Sequence, residues 1–246
     1  WCLMYWVAVL AGFLGGFLGP LIGVGGGVVI VPMLNLSGVE FQTAVAASLF
    51  SIVVTSLTSI YNYRRSIDTS LLLRYMAFSV VAAVASAFIS VKFSGNWVKL
   101  VYGVYLIIIG VVLLLNKRPS RPAPWLGYML VFVGGFVSSL FGVGGGTIFV
   151  PALILVSGME AKIAAAMSMG VIFPTVLAST LTYAWLGVLE LGLAVFIALG
   201  SFVGSFLASR YVMPRLGSSS VKRLFVGYVF AVGVYYLWSN LALALS

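Results

Sequence analysis

Two glycine runs carry the sharpest chemical signal in this chain. Gly-Val-Gly-Gly-Gly occupies positions 23–27 and recurs at 142–146. Glycine adopts positive φ without strain and lets a ligand approach the backbone closely. A helix that starts directly after such a run points its unpaired N–H groups at the turn. It carries roughly +0.5 charge there and binds anions. Two such ends at one site supply roughly one positive charge without a buried Lys or Arg. That is chemistry for holding a small oxyanion. On this reading the contacts are Gly25, Gly26 and Gly27 from the first run, with Gly144, Gly145, Gly146 and Thr147 from the second. The competing structural reading is that the glycines only let helices pack closely.

A polar stripe follows each run. Ser48, Thr55, Ser59 and Asn62 match Ser168, Thr175, Ser179 and Thr182 at a constant offset of 120. Spacings of seven, four and three place each set on one helix face, and Ser51 joins the first. Such a face either lines a pathway with hydroxyl donors or hydrogen-bonds to neighbouring helices. Ser48 and Ser168 stand nearest the glycine runs and are the expected ligand contacts, with Thr55 and Thr175 further along. Pro32 and Pro151, nine residues after the first glycine of each run, are expected to end or kink the helix there. Ser37-x-x-Glu40 and Ser157-x-x-Glu160 fit capping boxes, and a proton-carrier role for the two glutamates is the alternative. Asp68 and Glu190 flank apolar runs and read as interface residues. No acid sits in mid-span, so a buried carboxylate relay has no candidate.

The elements that must hold these residues are set by composition. Apolar residues make up 63% of the 246 residues and charged ones 7%, too few to cover a soluble body of this size. The class is a polytopic membrane protein. The chain is also a duplication. Gly-Val-Gly-Gly-Gly-Val-Val-Ile-Val-Pro-Met-Leu from 23 and Gly-Val-Gly-Gly-Gly-Thr-Ile-Phe-Val-Pro-Ala-Leu from 142 share eight of twelve positions. Gly15-Gly16-Phe17 matches Gly134-Gly135-Phe136 upstream, and the matching Ser-Gly-x-Glu segments lie downstream. The first repeat is 1–116, with apolar runs 3–36, 41–62, 71–91 and 97–115. A Pro-rich basic linker follows at 117–124. The second repeat is 125–246, with runs 125–157, 161–184, 189–210 and 221–241.

Runs 3–36 and 125–157 are too long for one crossing. Each would be a helix of about 50 Å against a core of about 30 Å, and each is broken by its glycines. Two half-length helices meeting near the midplane fit, as a re-entrant hairpin. The competing reading is a broken helix that crosses. Base distribution favours the hairpin. If all eight runs cross, the 13 bases divide six against seven. If the two long runs return to the side they entered, eleven bases share one side: Arg64, Arg65, Arg74, Lys117, Arg118, Arg121, Lys162, Arg210, Arg215, Lys222 and Arg223. Only Lys92 and Lys99 lie opposite. The eleven-base side is then cytoplasmic, each half crosses three times, and the halves are inverted. The fold expected is all-α: a polytopic membrane protein of two inverted repeats, each a re-entrant helical hairpin plus three transmembrane helices.

Other chemistry finds little support. The chain has no histidine and one cysteine, Cys2, which reads as a small apolar residue. The first run lacks a basic flank and is expected to belong to the mature protein. No cluster fits a metal or cofactor, no glycine run ends in Gly-Lys-Ser/Thr, and no nucleophile has a base. An enzyme is not expected. The net charge of +9 is dispersed between apolar runs as topology signals are, so nucleic acid is not expected as a partner.

The paired G-x-G-G-G-x-x-x-V-P-x-L pattern, one copy per half, resembles the TauE/SafE sulfite exporter family, and the resemblance covers nearly the whole chain. Its motif residues map to Gly23, Gly25, Gly26, Gly27 and Pro32, and to Gly142, Gly144, Gly145, Gly146 and Pro151. The resemblance implies an integral protein of a bacterial or archaeal cytoplasmic membrane, and a secondary transporter, most simply an exporter, of small sulfur-containing oxyanions such as sulfite or organosulfonates. Its partners would be that anion and membrane lipid. A passive anion channel is the alternative, because paired re-entrant half-helices also build channels.

Overall fold

The computed structural model describes residues 2–64, 68–92, 101, 103–104, 107–108, 110–111, 114 and 124–244. Most of the span read at 97–115, and all of the linker before Pro124, lie outside the described residues; so do the bases Arg65, Lys99, Lys117, Arg118 and Arg121 and the side chain of Cys2. The described secondary structure is helical throughout: α1 (Cys2–Ile22), α2 (Gly27–Leu36), α3 (Phe41–Tyr63), α4 (Thr69–Lys92), α5 (Pro124–Phe141), α6 (Gly146–Leu155), α7 (Ala161–Trp185), α8 (Leu191–Leu207) and α9 (Ser218–Ala244). A π-helical turn, Ala208–Val212, and a 3₁₀ turn, Met213–Arg215, follow α8.

The outer face is largely apolar, and a set of hydroxyls is buried inside among apolar side chains. Trp6, Val81, Leu181 and Trp185 are exposed, while Ser48, Ser51, Thr55, Ser59, Ser168, Thr175 and Ser179 are fully buried. That inversion suits lipid, where a hydroxyl on the outer face has no partner. Five stretches among the described residues are long and apolar enough to cross a membrane: Met4–Ile22, Phe41–Tyr63, Thr69–Ser90, Ala161–Trp185 and Leu191–Arg215. The protein is therefore an all-helical integral membrane protein.

The glycine runs break the long apolar segments where the sequence places them, between α1 and α2 and between α5 and α6. The limbs are unequal, however. Only α2 and α6, at 10 residues and about 15 Å, have the half-length expected of both limbs. The first limb, α1, has 21 residues, about 31 Å. Each short helix folds back beside the end of its long one. A Cβ on Gly15 would stand 2.6 Å from Ile30 Cγ1, and one on Gly134 would stand 2.4 Å from Phe149 Cε1. Pro32 and Pro151 do not end their helices, which run on to Leu36 and Leu155.

The first long helix of each half packs on the third long helix of the other. On α1, Gly12 and Gly16 meet the backbone of Ile197 and Ser201 on α8, and Ser201 Oγ donates to Gly12 O at 3.0 Å. On α5, Gly135 meets the backbone of Ser79 on α4, and Ser86 Oγ donates to Phe136 O at 2.6 Å. The Gly15-Gly16 and Gly134-Gly135 pairs are where close helix packing operates.

Candidate functional site

The two glycine turns meet at the centre of the molecule. Residues 21–28 and 141–150 are all buried. Gly25 and Gly26 have φ of 90° and 95°, Gly144 and Gly145 of 81° and 73°, all left-handed. An L-residue there is strained by roughly 1–2 kcal/mol. The turns also touch backbone to backbone. A Cβ on Gly27 would stand 1.9 Å from Gly142 O, and one on Gly146 would stand 2.0 Å from Gly23 O. These glycines are needed twice, for turn conformation and for contact with the opposite turn.

Helices α2 and α6 begin at this contact. Val24 N donates to Gly19 O, Val143 N to Ser138 O, and the amides of Val29 and Ile148 return to Gly26 O and Gly145 O. Among the described residues, no backbone hydrogen bond starts from the amides of Gly25, Gly26 or Gly27, or of Gly144, Gly145 or Gly146. The N-termini of two helices thus bring six amides to one buried place, the electrostatics that favour negative charge.

The sequence-predicted serines lie at the same place in a different role. Ser48 Oγ donates to Gly142 O and Ser168 Oγ to Gly23 O, both at 2.8 Å. Each serine therefore latches the turn of the other half. A hydroxyl has one proton to give, so in this conformation neither donates elsewhere. Thr147 is fully buried beside Gly146. Further along, the stripe mostly bonds to its own helices. Thr55 Oγ1 donates to Ser51 O at 3.2 Å, Ser59 to Thr55 O and Ser179 to Thr175 O. Thr175 Oγ1 reaches both Val171 O and Ser79 Oγ. Asn62 Nδ2 reaches Ser209 Oγ at 2.8 Å. Of these, the Thr175–Ser79 and Asn62–Ser209 contacts reach other helices, partners that spacing alone could not name.

Two tyrosines were missed by the sequence reading. Tyr63 and Tyr183 lie at the same offset of 120 as the stripe, next to Asn62 and Thr182. Tyr63 Oη donates to Pro20 O at 3.4 Å and Tyr183 Oη to Ser139 O at 2.9 Å, and Pro20 and Ser139 are themselves 119 apart. The repeat offset was the signal that could have found them.

The capping boxes do not form. Ser37 closes α2, and its hydroxyl donates to Met33 O. Glu40 and Glu160 are themselves the N-cap residues of α3 and α7, without a side-chain cap bond. Their backbone carbonyls accept from Ala44 N and Ala164 N. Asp68 does cap α4, its Oδ1 accepting from Ser70 N at 2.9 Å. All four acids, Glu40, Asp68, Glu160 and Glu190, are exposed.

Comparison with known proteins agrees with this architecture. A family model described as Sulfite exporter TauE/SafE matches residues 8–236. The probable membrane transporter protein YunE of Bacillus subtilis is 32% identical over 68% of this chain and 73% of its own. A probable membrane transporter protein of Methanocaldococcus jannaschii is 29% identical over 71% of this chain and 70% of its own. One from Xylella fastidiosa is 24% identical over 96% of each. With the family match running across both glycine turns and nearly the whole chain, this protein belongs to the TauE/SafE family of membrane transporters.

Proposed function

We propose that the chain is a secondary transporter that exports small sulfur-containing oxyanions, such as sulfite or an organosulfonate, and binds them where the two glycine turns meet. The observation that carries this reading is the set of six amides at two buried helix N-termini, with no backbone acceptor among the described residues. Family membership supports the transport of a small molecule. The helix ends favour an anion over a cation or a neutral solute.

In the conformation described, Gly142 O lies against the start of α2 and accepts from Ser48, and Gly23 O stands likewise toward α6 and Ser168. Each carbonyl oxygen holds the place an anion oxygen would take. When the turns part, Ser48 and Ser168 are released with the amides of Gly25, Gly26 and Gly27 and of Gly144, Gly145 and Gly146. Those groups and Thr147 then surround the anion, and Thr55 and Thr175 continue the polar face away from it. The hairpins are re-entrant and the halves inverted, so rocking of one half against the other exposes the turns to alternate sides. The side rich in bases is cytoplasmic.

The burial of both turns favours a carrier over a passive channel, because a channel keeps its path open across the contact. Proteoliposomes loaded with sulfite provide the test. Efflux should saturate with concentration and accelerate by exchange when sulfite is present outside. Discrete single-channel currents, or efflux unaltered in Ser48→Ala and Ser168→Ala, would place the path elsewhere.

A further inference from the structure

The described cavities differ in what they offer a ligand. A cleft of about 280 Å³ lined by Asn62, Tyr63, Lys162 and Ser209 is polar, but its donors already serve Thr58 O, Ser209 Oγ, Pro20 O, Pro214 O and Ser205 O. The grooves beside Trp6 and Phe196 are lined chiefly by apolar side chains and carry no charge. A third groove, between the end of α1 and the start of α9, combines a cation with an apolar wall. It holds about 690 Å³, room enough for a sizeable ligand.

Its two kinds of surface are separated along α9. Ser220, Arg223, Leu224 and Gly227 line it from that helix. Their spacing places them on one face, over about 10 Å of the axis. The donors come first, within two turns of the helix start, and the apolar surface follows. A Cβ on Gly227 would meet nothing within 4 Å, so α9 leaves open space there. Leu18 and Ile22, one turn apart on α1, form the opposite wall.

The donors are uncommitted. Arg223 is exposed and Ser220 half-buried. Among the described residues, neither side chain has a hydrogen-bond or ion-pair partner, and none of the residues lining the groove is acidic. A guanidinium fork suits phosphate oxygens, and the N-terminus of α9 adds roughly half a positive charge. Arg223 is also one of the eleven bases that share a side under the hairpin topology. The leaflet on that side carries anionic lipid, and basic pockets between helices there hold lipid headgroups.

The other half lacks this donor pair. Val221-Lys222 matches Val98-Lys99 at an offset of 123, and on that match Ser220 becomes Trp97 and Arg223 becomes Leu100. The pairing of arginine and serine therefore belongs to one side of the protein.

We propose that this groove binds an anionic phospholipid, with its phosphate on Arg223 and Ser220 and an acyl chain along Leu18, Ile22 and Leu224. The guest must be charged at one end and apolar along its length, because the groove is. A free oxyanion would gain nothing from the leucine walls. The site does not depend on which solute is transported. Its position gives the lipid a second effect. Ile22 directly precedes the first glycine turn, and Gly19 O and Pro20 O accept from Val24 N and Tyr63 Oη. A lipid in the groove braces the end of α1 from which that turn springs.

Native mass spectrometry of the delipidated protein in detergent, titrated with phosphatidylglycerol or phosphatidylcholine, tests the assignment. Phosphatidylglycerol should bind about tenfold more tightly than phosphatidylcholine, and Arg223→Gln should remove that preference. Arg223→Lys should keep most of it and serves with the melting temperature as the folding control. Gly227→Leu fills the groove and should weaken both lipids. Arg210→Gln, which removes a base outside the groove, should leave the preference within about threefold. Equal binding of the two lipids would overturn the proposal. So would an equal loss in Arg210→Gln and Arg223→Gln, which marks diffuse surface attraction. Inorganic phosphate that displaces phosphatidylglycerol at equal concentration would make this a soluble-anion site, and a dimer that forms only when lipid is stripped and Arg223 is intact would make it a contact between copies. Either result sinks the lipid site.

Discussion

The two ends of the polar core are built from equivalent residues and are closed to different degrees. At one end Tyr183 is 1% exposed, donates to Ser139 O and pairs with Ser90 Oγ, while Gln42 Nε2 donates to Ser90 O. At the other, Tyr63 is 8% exposed, its one recorded bond is 3.4 Å long, and the cleft of Lys162 opens beside it. Helix α4 runs unbroken to Lys92 at the first end, whereas α8 loosens into π and 3₁₀ turns at the second. A duplicated chain thus keeps its centre symmetric and its two mouths unequal.

The largest effects should fall on the symmetric centre. Gly27→Ala and Gly146→Ala place a methyl group on an opposing carbonyl, at 1.9 and 2.0 Å respectively. Each should lower stability by about 3 kcal/mol or abolish folded protein, read as melting temperature in detergent. A variant that melts like the unaltered protein would show that the turns do not press on each other.

Next come the latches. Ser48→Ala and Ser168→Ala each leave a buried carbonyl without its donor and should cost roughly 1–3 kcal/mol. Near-equal losses would sharpen the symmetry of the centre, and a difference above about 1 kcal/mol would break it. The tyrosines probe the mouths. Tyr183→Phe should cost about 1 kcal/mol or more, and Tyr63→Phe only a few tenths, because its hydrogen bond is long. Denaturant unfolding of both variants measures this, and the reverse order would contradict the assignment of the closed end. The smallest effect belongs to Glu40→Gln with Glu160→Gln. Both carboxylates are exposed and neither caps its helix through its side chain, so stability should move by less than about 0.5 kcal/mol. The pH profile of transport should also be unchanged.

Much of the scaffold was legible because its signals are local. Glycine runs mark chain breaks whatever surrounds them, and an apolar run of 22–25 residues has few alternatives to a membrane helix. The helix α7 begins at Ala161, as the apolar run does. Other features depended on partners that spacing does not name. Ser48 and Ser168 could be placed beside the turns, but their acceptors lie on the opposite half. Ser37 and Glu40 had the spacing of a capping box, yet α2 runs on to Leu36 and makes Ser37 its end, leaving Glu40 at the N-cap. The unequal limbs of the hairpins were hidden because apolar composition does not change along residues 3–36. Lys162 was read only as a topology charge, and its bond to Pro214 O, 52 residues away, could not be read from spacing.

The exchange of helices between halves bears on how the protein is made. Gly12 on α1 accepts from Ser201 on α8, 189 residues later in the chain. The ribosome releases the first helix long before its packing partner exists. Until then its glycine face must rest against lipid or an insertion factor, and neither half produced alone would have a surface to complete it. Biogenesis of this protein therefore finishes only after α8 arrives, and a premature stop before residue 191 leaves α1 without that partner.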